Sequence, residues 1–418
     1  MRRRGELSRL TLAVIAVAFL TKILLTVFVV PVGPKSDFAH WVGGTAYTFS
    51  LLREGSLPAI SRTGVYTGMF LLLAPFYALW AALPIAHPPL SQAIGSSSET
   101  GFLLVFLMKL PVILSDLIAG GLIASIVAFF SSREAALKSF FLWYLNPYAF
   151  YLMVVSGTFD IVPTVIVLAA VVFAMKGRWA SAGVTLSVAS VARLYPVLLF
   201  PVFLFYAWRA RRRFSVARMA LSFAALILVG LLLESVAIGS LNSVINSIIH
   251  LPVAEPWLSD FITFEVGPYI SLTPIAVVAQ IYLVTAYWKR GAQMAGIPNA
   301  VLATLMALLL TSYHHSYHFT WVIPLLTAYF ALAEQSPTLF IIILASAYFD
   351  SLGYSTTNST ITLFQPLFAG IFYGTKAAYL LKINLQGLGI PSKSRTFGST
   401  SPLSKLLQNE TVIGARRD

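Results

Sequence analysis

Apolar runs follow one another along almost the whole chain and are separated by short polar gaps. The first occupies residues 10–30 and the last residues 361–381. Runs of about 18 or more residues cross the hydrocarbon core of a membrane as helices, and the alternation typical of barrel strands is absent. The pattern therefore predicts an all-α, polytopic integral membrane protein with about 11–13 transmembrane helices.

Prolines modify this pattern in two runs. The run 65–86 contains Pro75 and Pro84, and we expect an interfacial or re-entrant helix there, with a full span as the alternative. Residues 38–54 are also expected to lie along the interface. The run 180–208 should break at the Arg-Leu-Tyr-Pro of 193–196, because Pro196 disfavours helical geometry at Tyr195.

Composition supports a membrane protein without a separate soluble domain. The chain of 418 residues is 58% hydrophobic and 10% charged, with a mean hydropathy of +0.82, whereas soluble domains carry roughly a quarter charged residues. We expect one transmembrane domain over 1–381 and a basic cytoplasmic tail over 382–418. The chain contains no cysteine, which excludes disulfides, thiolate metal sites and thiol nucleophiles.

The net charge of +13 follows the predicted topology rather than nucleic-acid binding. Fifteen basic residues fall in short gaps, at 2–9, 133–138, 176–178, 209–218 and 289–290. Five others fall in longer stretches on the opposite side: Lys35, Arg53, Arg62, Lys109 and Arg193. Basic loops stay in the cytoplasm, so both termini are expected there, with anionic lipid as a contact and no nucleic-acid partner.

The predicted topology brings several chemically useful side chains to the outer membrane face. Asp37 follows the first run directly, and a solvated loop acid is the alternative to a reactive one. The others are Asp160, Lys109, Arg193 and the histidine cluster His314, His315 and His318.

Two charges fall inside predicted spans, where a charge is costly. Lys22 either snorkels to the surface or faces a cavity, and Asp116 is expected to be a buried partner of another helix.

Four stretches resemble the GT-C glycosyltransferases in their residues, order and spacing. They are Met-Lys-Leu-Pro at 108–111, Trp-Tyr-Leu-Asn-Pro at 143–147, Ser-Gly-Thr-Phe-Asp at 156–160 and Arg-Leu-Tyr-Pro at 193–196. The resemblance is strongest to the catalytic subunit of GPI mannosyltransferase I and its prokaryotic relatives. It implies a GT-C fold, with a module over about 1–268 followed by more variable helices over 269–381. Where the family usually has an acid-x-acid motif, this chain has Asp37 alone.

The resemblance implies inverting transfer of mannose from dolichyl- or polyprenyl-phosphate mannose to a hydroxyl of a lipid-linked glycan or glycolipid at the outer face. A small membrane subunit is a further implied partner. The membrane would be the plasma membrane in an archaeon or bacterium and the endoplasmic reticulum in a eukaryote. The alternatives are a secondary transporter and a non-catalytic subunit that binds polyprenyl lipids.

The chemistry of this transfer assigns roles to the candidate residues. The attacking hydroxyl must lose a proton, and a carboxylate can accept it, so Asp37 is the expected base. The leaving phosphate is already an anion and needs cationic or polar groups. The expected phosphate contacts are Arg193, Lys109 and His318. The expected acceptor-binding or orienting residues are Asp160, His314, His315 and Tyr195.

Each of these assignments has a structural alternative. Arg193 could be a snorkelling side chain, Lys109 an interface anchor, and Asp160 the partner in a non-catalytic ion pair. The histidine cluster could bind a metal, but no acid lies near it in sequence, which favours hydrogen bonds to sugar or phosphate. We expect no resident cofactor and predict no metal site.

Overall fold

The computed structural model describes residues 2–28, 37–55, 67–85, 87, 90, 99–193, 195–210, 214–238, 296–311 and 316–332. All of them belong to one compact unit, Met1–Phe364. These residues form helices joined by turns and contain no strand, which confirms the all-α prediction for this part of the chain. His314, His315, the helices predicted over 269–295 and beyond 332, and the tail 382–418 lie outside the described residues.

The α-helices are α1 (Arg2–Phe28), α2 (Asp37–Arg53), α3 (Thr67–Ala81), α4 (Glu99–Phe130), α5 (Arg133–Tyr144), α6 (Pro147–Phe150), α7 (Ile161–Met175), α8 (Trp179–Ala192), α9 (Phe200–Arg209), α10 (Ser215–Ile238), α11 (Gly296–Thr311) and α12 (Ile323–Leu332). A π-helical turn, Tyr151–Ser156, follows α6. Two 3-10 helices, Tyr195–Leu199 and Ser316–Trp321, precede α9 and α12.

The apolar run 139–155 was expected to cross the membrane, with Asn146 and Pro147 shaping its helix, and this shaping role is confirmed. Helix α5 ends at Tyr144, and a new helix begins after Asn146. The Asn146 side-chain oxygen accepts hydrogen bonds from the backbone N–H groups of Tyr148 and Ala149, and Pro147 occupies the first helical position. A side-chain cap followed by proline is a strong helix start, so the polar residue divides the run despite its apolar neighbours.

The predicted break near Arg193 is confirmed. Helix α8 ends at Ala192, and Arg193 has an extended backbone with φ −150° and ψ 146°. The chain then resumes as the short 3-10 helix Tyr195–Leu199. The break lies just ahead of Pro196, as the restriction on residues before proline predicts.

Helix α4 is the centre of the packing and touches α1, α3, α5, α7 and α12. Its apolar run was expected over 101–130, with Lys109 and Pro111 marking the entry, and the helix begins at Glu99 and contains both residues. Lys109 has no exposed surface and donates a hydrogen bond to the Val154 carbonyl, so it is not an anchor at the membrane interface.

Several helices bury polar side chains and expose apolar ones. On α1, Lys22 and Thr26 are buried, while the exposed side chains include Val14, Val17, Leu20 and Leu24. Helix α8 buries Ser187 and Ser190 and exposes Val184 and Val191. A helix packed in water normally has the opposite arrangement.

One described helix, Gly101–Phe130 within α4, is long and apolar enough to cross a membrane, as judged by length and composition. The other apolar helices among the described residues are shorter, as in Ile161–Met175 and Trp179–Ala192.

Candidate functional site

A buried ion pair between Arg193 and Asp160 forms the centre of the candidate site. Arg193 Nε and Nη2 each lie 2.6 Å from Asp160 Oδ1. Both side chains are buried, at 8% and 2% exposure. The pair joins two segments outside regular α-helix, because Asp160 directly precedes α7 and Arg193 directly follows α8. A paired buried charge is fixed in position, which a site for an anionic ligand requires.

The turn before Asp160 is tight and depends on Gly157. Gly157 has a positive φ of 65°, and a Cβ added there would lie 3.0 Å from Lys109 Cε and 3.1 Å from Phe38 Cδ2. Thr158 N–H donates to the Leu152 carbonyl at 3.0 Å, which closes the end of the π-helical turn. Only glycine combines this backbone conformation with this lack of space, so Gly157 lets the turn lie directly against Phe38 of α2 and Lys109 of α4.

The first turn of α2 lies against this ion pair. The Arg193 guanidinium carbon lies 4.8 Å from the centre of the Trp41 ring, within the range of a cation–π interaction. Phe38 stacks on Phe159 with ring centroids 6.0 Å apart. Asp37 is the first residue of the same helix, and its side chain lies outside the described part of the structure.

Lys109 reaches the same region from α4 and has no exposed surface. Its Nζ donates a hydrogen bond of 2.7 Å to the Val154 carbonyl and lies 5.7 Å from the centre of the Phe38 ring. The lysine thus connects α4 to the π-helical turn and to α2, and through Gly157 it limits the position of the turn that carries Asp160.

Tyr195 and His318 meet at the Trp321 ring. The Tyr195 ring stacks on Trp321 at a centroid distance of 4.0 Å, and the His318 ring lies 4.4 Å from the same indole. The Tyr195 hydroxyl is 3.2 Å from Thr164 Oγ1, which itself donates to the Asp160 carbonyl at 2.7 Å. The 3-10 helix Ser316–Trp321 is thereby connected to the Arg193–Asp160 region through Tyr195.

Electrostatics differ between the core and the rim of the site. Burial raises the pKa of the Asp160 carboxyl, while the charge and hydrogen bonds of Arg193 lower it. At the rim, the His40 side chain is exposed to solvent. Its pKa is nevertheless lowered, mainly by partial desolvation and to a smaller extent by the positive charge of Arg193. The candidate site thus combines a buried, charged pair with an exposed imidazole whose protonation Arg193 opposes.

The structure brings together Lys109, Asp160, Arg193, Tyr195 and His318, and it begins α2 at Asp37 beside them. Their roles toward a substrate stay predictions. Sequence reasoning missed the aromatic frame and His40: Phe38, His40, Trp41, Phe159 and Trp321. His40 could have been found from its spacing, because it lies three residues after Asp37 and shares a helix face with it once a helix begins there.

The described charged side chains of the site can contact an anionic group. Its described charged side chains are two cations and one carboxylate, and that carboxylate is already bound by a guanidinium. Within the described ranges, no group of three or more His, Cys, Asp or Glu side chains is placed to hold a metal.

Comparisons of the chain with family models, with curated proteins and with solved structures give no match.

Proposed function

We propose that this chain is a multi-pass membrane glycosyltransferase. It transfers a sugar, mannose in the first instance, from a polyprenyl-phosphate donor to a hydroxyl of a lipid-linked glycan or glycolipid. The observation that carries the proposal is the meeting of four distant segments at one point. They are the start of α2 at Asp37, the turn at Asp160, the helix break at Arg193, and Lys109 of α4.

The membrane part of the proposal rests on the polarity of the helix surfaces. Helix α1 exposes Val17 at 63% and buries Lys22 at 3%. In water this would expose apolar surface and desolvate a charge. In lipid an apolar side chain is stable on the surface, and a charged one costs least when it faces the interior of the bundle. The long helix Gly101–Phe130 adds a span by its own length.

In the proposed reaction the acceptor hydroxyl oxygen attacks the anomeric carbon as the bond from that carbon to the phosphate oxygen breaks. The hydroxyl proton passes to the Asp37 carboxylate, and the polyprenyl phosphate leaves as an anion. Attack opposite the leaving group inverts the anomeric centre. The transition state has oxocarbenium character, as in glycoside hydrolysis.

The described residues have distinct parts in this step. Arg193 contacts the donor phosphate, and Asp160 and the Trp41 ring fix the plane of the guanidinium. Lys109 holds the Gly157 turn through the Val154 carbonyl, so it acts on Asp160 by position. Tyr195 and His318 line the side toward Trp321, where the acceptor or the donor phosphate would bind.

The test is transfer by the purified full chain in lipid nanodiscs. Radiolabelled polyprenyl-phosphate mannose and its glucose analogue are each incubated with a membrane lipid extract as acceptor. The proposal expects label to move from mannose donor to a larger lipid product with the opposite anomeric configuration. A transporter or a lipid-binding subunit would give no transfer from either donor, and transfer from glucose alone would correct the sugar.

The proposed topology has its own test, which the absence of cysteine makes simple. Single cysteines at Glu54 and at Lys138 are labelled in sealed vesicles with a membrane-impermeant maleimide. The proposal expects the two positions to react from opposite sides of the membrane. Labelling of both from the same side would contradict the arrangement in which α2 lies at the outer face.

A further inference from the structure

His40 is an exposed side chain at the rim of the candidate site. Its ring centroid lies 6.0 Å from that of Trp41 and 6.4 Å from that of Phe70. Trp41 in turn lies under the Arg193 guanidinium. The imidazole therefore borders the same aromatic surface as the guanidinium, on the side that solvent reaches.

The charges around His40 favour an anion over a cation at this place. Arg193 is close enough to disfavour protonation of the imidazole. The first turn of a helix also carries a partial positive charge on its free N–H groups, and His40 lies in the first turn of α2. A bound anion would cancel both effects.

The titratable and charged groups of α2 and of the segments around it come from four elements. Asp37 begins its own helix, and Arg53 ends it. Helix α3, which packs on α2, contributes Tyr77 as its titratable residue. Arg193 follows α8 with Asp160 paired to it, and Lys109 reaches Phe38 from α4.

We propose that His40 is a further donor-binding residue, which contacts the phosphate of the lipid-linked sugar together with Arg193 and takes up a proton as the donor binds. This rests on the proposed function. The proton comes from solvent, and no bond in the donor changes at this step. The proposal makes donor affinity depend on pH although the donor, a phosphodiester, keeps a single negative charge across the range concerned.

The sign follows from the linkage between ligand and proton binding. A donor that raises the pKa of His40 binds more tightly as the pH falls through the pKa of the complex, and the gain is complete below the pKa of the free protein. Each pKa unit of difference between the two states changes affinity by about tenfold. Above both values His40 is neutral in both states and the affinity no longer changes.

The experiment measures binding of a short-tailed polyprenyl-phosphate mannose to the full chain in nanodiscs, without acceptor, from about pH 5.5 to 8.5. The wild type should bind about tenfold more tightly at the acid end than at the basic end. His40→Gln should bind with one weak affinity throughout, and His40→Lys with one tighter affinity throughout. His87→Gln, a change at another exposed histidine, should behave as the wild type does.

A second readout separates contact from general damage. In the transfer assay His40→Gln should raise the KM for the donor at acid pH and leave kcat close to the wild-type value. Wild-type binding that does not change with pH would overturn the inference, as would an unchanged pH dependence in His40→Gln. In that case transfer by the wild type would still support the proposed function, whereas absence of any donor binding would contradict both.

Discussion

Two buried ion pairs in this molecule have similar charges and different surroundings. Arg193 and Asp160 lie where helices end and begin, beside an aromatic ring and next to the exposed His40. Lys22 and Asp116 form an ion pair between the continuous helices α1 and α4. The two pairs therefore differ in the backbone that carries them and in their distance from solvent-accessible polar groups.

The Lys22–Asp116 pair is enclosed by side chains of α5. The Lys22 Nζ lies 3.8 Å from the centre of the Tyr144 ring, and Trp143 Nε1 donates to the Asp116 carbonyl at 3.0 Å. The second carboxylate oxygen, Asp116 Oδ1, is buried without a hydrogen-bond partner in the described part of the chain. The pair fixes α1 against α4 and α5, and it confirms the prediction that Asp116 is the partner of another helix. Lys22 does not snorkel to the surface, because its ammonium group is buried and paired with Asp116.

The comparison teaches that a buried charge alone does not identify a site. Both pairs are costly to desolvate and both hold helices together. The Arg193–Asp160 pair adds irregular backbone, a close glycine turn and a neighbouring exposed group, which are the features that let a ligand approach. We therefore expect the Arg193–Asp160 pair to control both activity and stability, and the Lys22–Asp116 pair to control stability alone.

The largest expected effect separates the pairs by activity. Arg193→Ala removes the phosphate contact and should lower transfer by about 100- to 1000-fold per folded molecule. Lys22→Ala is the matched control, because it also leaves a buried carboxylate unpaired. Each variant should lose about 3–5 kcal/mol of unfolding free energy. Transfer and thermal unfolding are measured on the same nanodisc preparations, and equal loss of transfer in both variants would contradict the distinction.

Exchange of the charges within each pair sharpens the comparison. The double variant Lys22→Asp/Asp116→Lys should regain about 0.5–3 kcal/mol of the stability lost by its single variants, and transfer should be kept in the single and double variants alike. Arg193→Asp/Asp160→Arg should regain stability without transfer, because the guanidinium moves away from Trp41 and His40. The readout is a double-mutant cycle in unfolding temperature and in transfer rate. Recovered transfer in Arg193→Asp/Asp160→Arg would show that only pairing matters at these two positions.

Replacement of the Lys22–Asp116 pair by apolar residues tests how much free energy the burial of its charges costs. Lys22→Met combined with Asp116→Leu removes two desolvated charges, and the unfolding free energy should stay the same or rise by about 1–4 kcal/mol. Transfer should be kept, since α1 still packs on α4. A large loss of stability would mean that the ion pair specifies the packing of α1, a result that thermal unfolding of the full chain would detect directly.

A smaller effect is expected for the aromatic neighbours of the two pairs. Trp41→Leu removes the ring under Arg193, an interaction of about 0.5–2 kcal/mol, and should weaken donor binding accordingly. Trp143→Phe removes one hydrogen bond to the Asp116 carbonyl and should cost about 0.5–1.5 kcal/mol of stability with donor affinity unchanged. Donor titration and thermal unfolding distinguish the two results, and weaker donor binding in Trp143→Phe would count against the separation of the pairs.

The smallest effect on stability is expected at the hydrogen bond between the Tyr195 and Thr164 hydroxyls. Thr164→Val and Tyr195→Phe each remove the hydroxyl contact between these residues and should each lower stability by about 0.5–1.5 kcal/mol. Thr164→Val also removes the bond to the Asp160 carbonyl, so the double variant should cost little more than Thr164→Val alone. Additive losses, measured by thermal unfolding, would show that the Tyr195 hydroxyl has a further partner.

Local sequence signals predicted the helix breaks better than they predicted the site. Pro196 gave the break after Ala192, because the restriction it imposes acts on neighbouring residues alone. The helix start at Asn146 and Pro147 has an equally local signal, a side-chain cap followed by proline. The full burial of Lys109 was not predicted, because nothing near it in sequence reveals its hydrogen bond to the Val154 carbonyl.

The contacts between segments that are distant in the chain could not be predicted from the sequence. The stacking of Arg193 on Trp41 joins residues far apart in the chain, and it depends on how α2, α7 and α8 pack together. The link from Tyr195 to Trp321 likewise needs a segment that lies more than a hundred residues further along. The sequence indicated which residue types would meet at one face, whereas their pairing arises only from tertiary packing.

The central claim is that Asp37 accepts the proton of the attacking hydroxyl, and single-turnover transfer by Asp37→Asn tests it most directly. Glu54→Gln, an exposed acid after the other end of α2, is the matched control. The account predicts that Asp37→Asn binds labelled donor as the wild type does and transfers sugar about 100- to 10,000-fold more slowly, while Glu54→Gln transfers at the wild-type rate. Wild-type transfer by Asp37→Asn would contradict it.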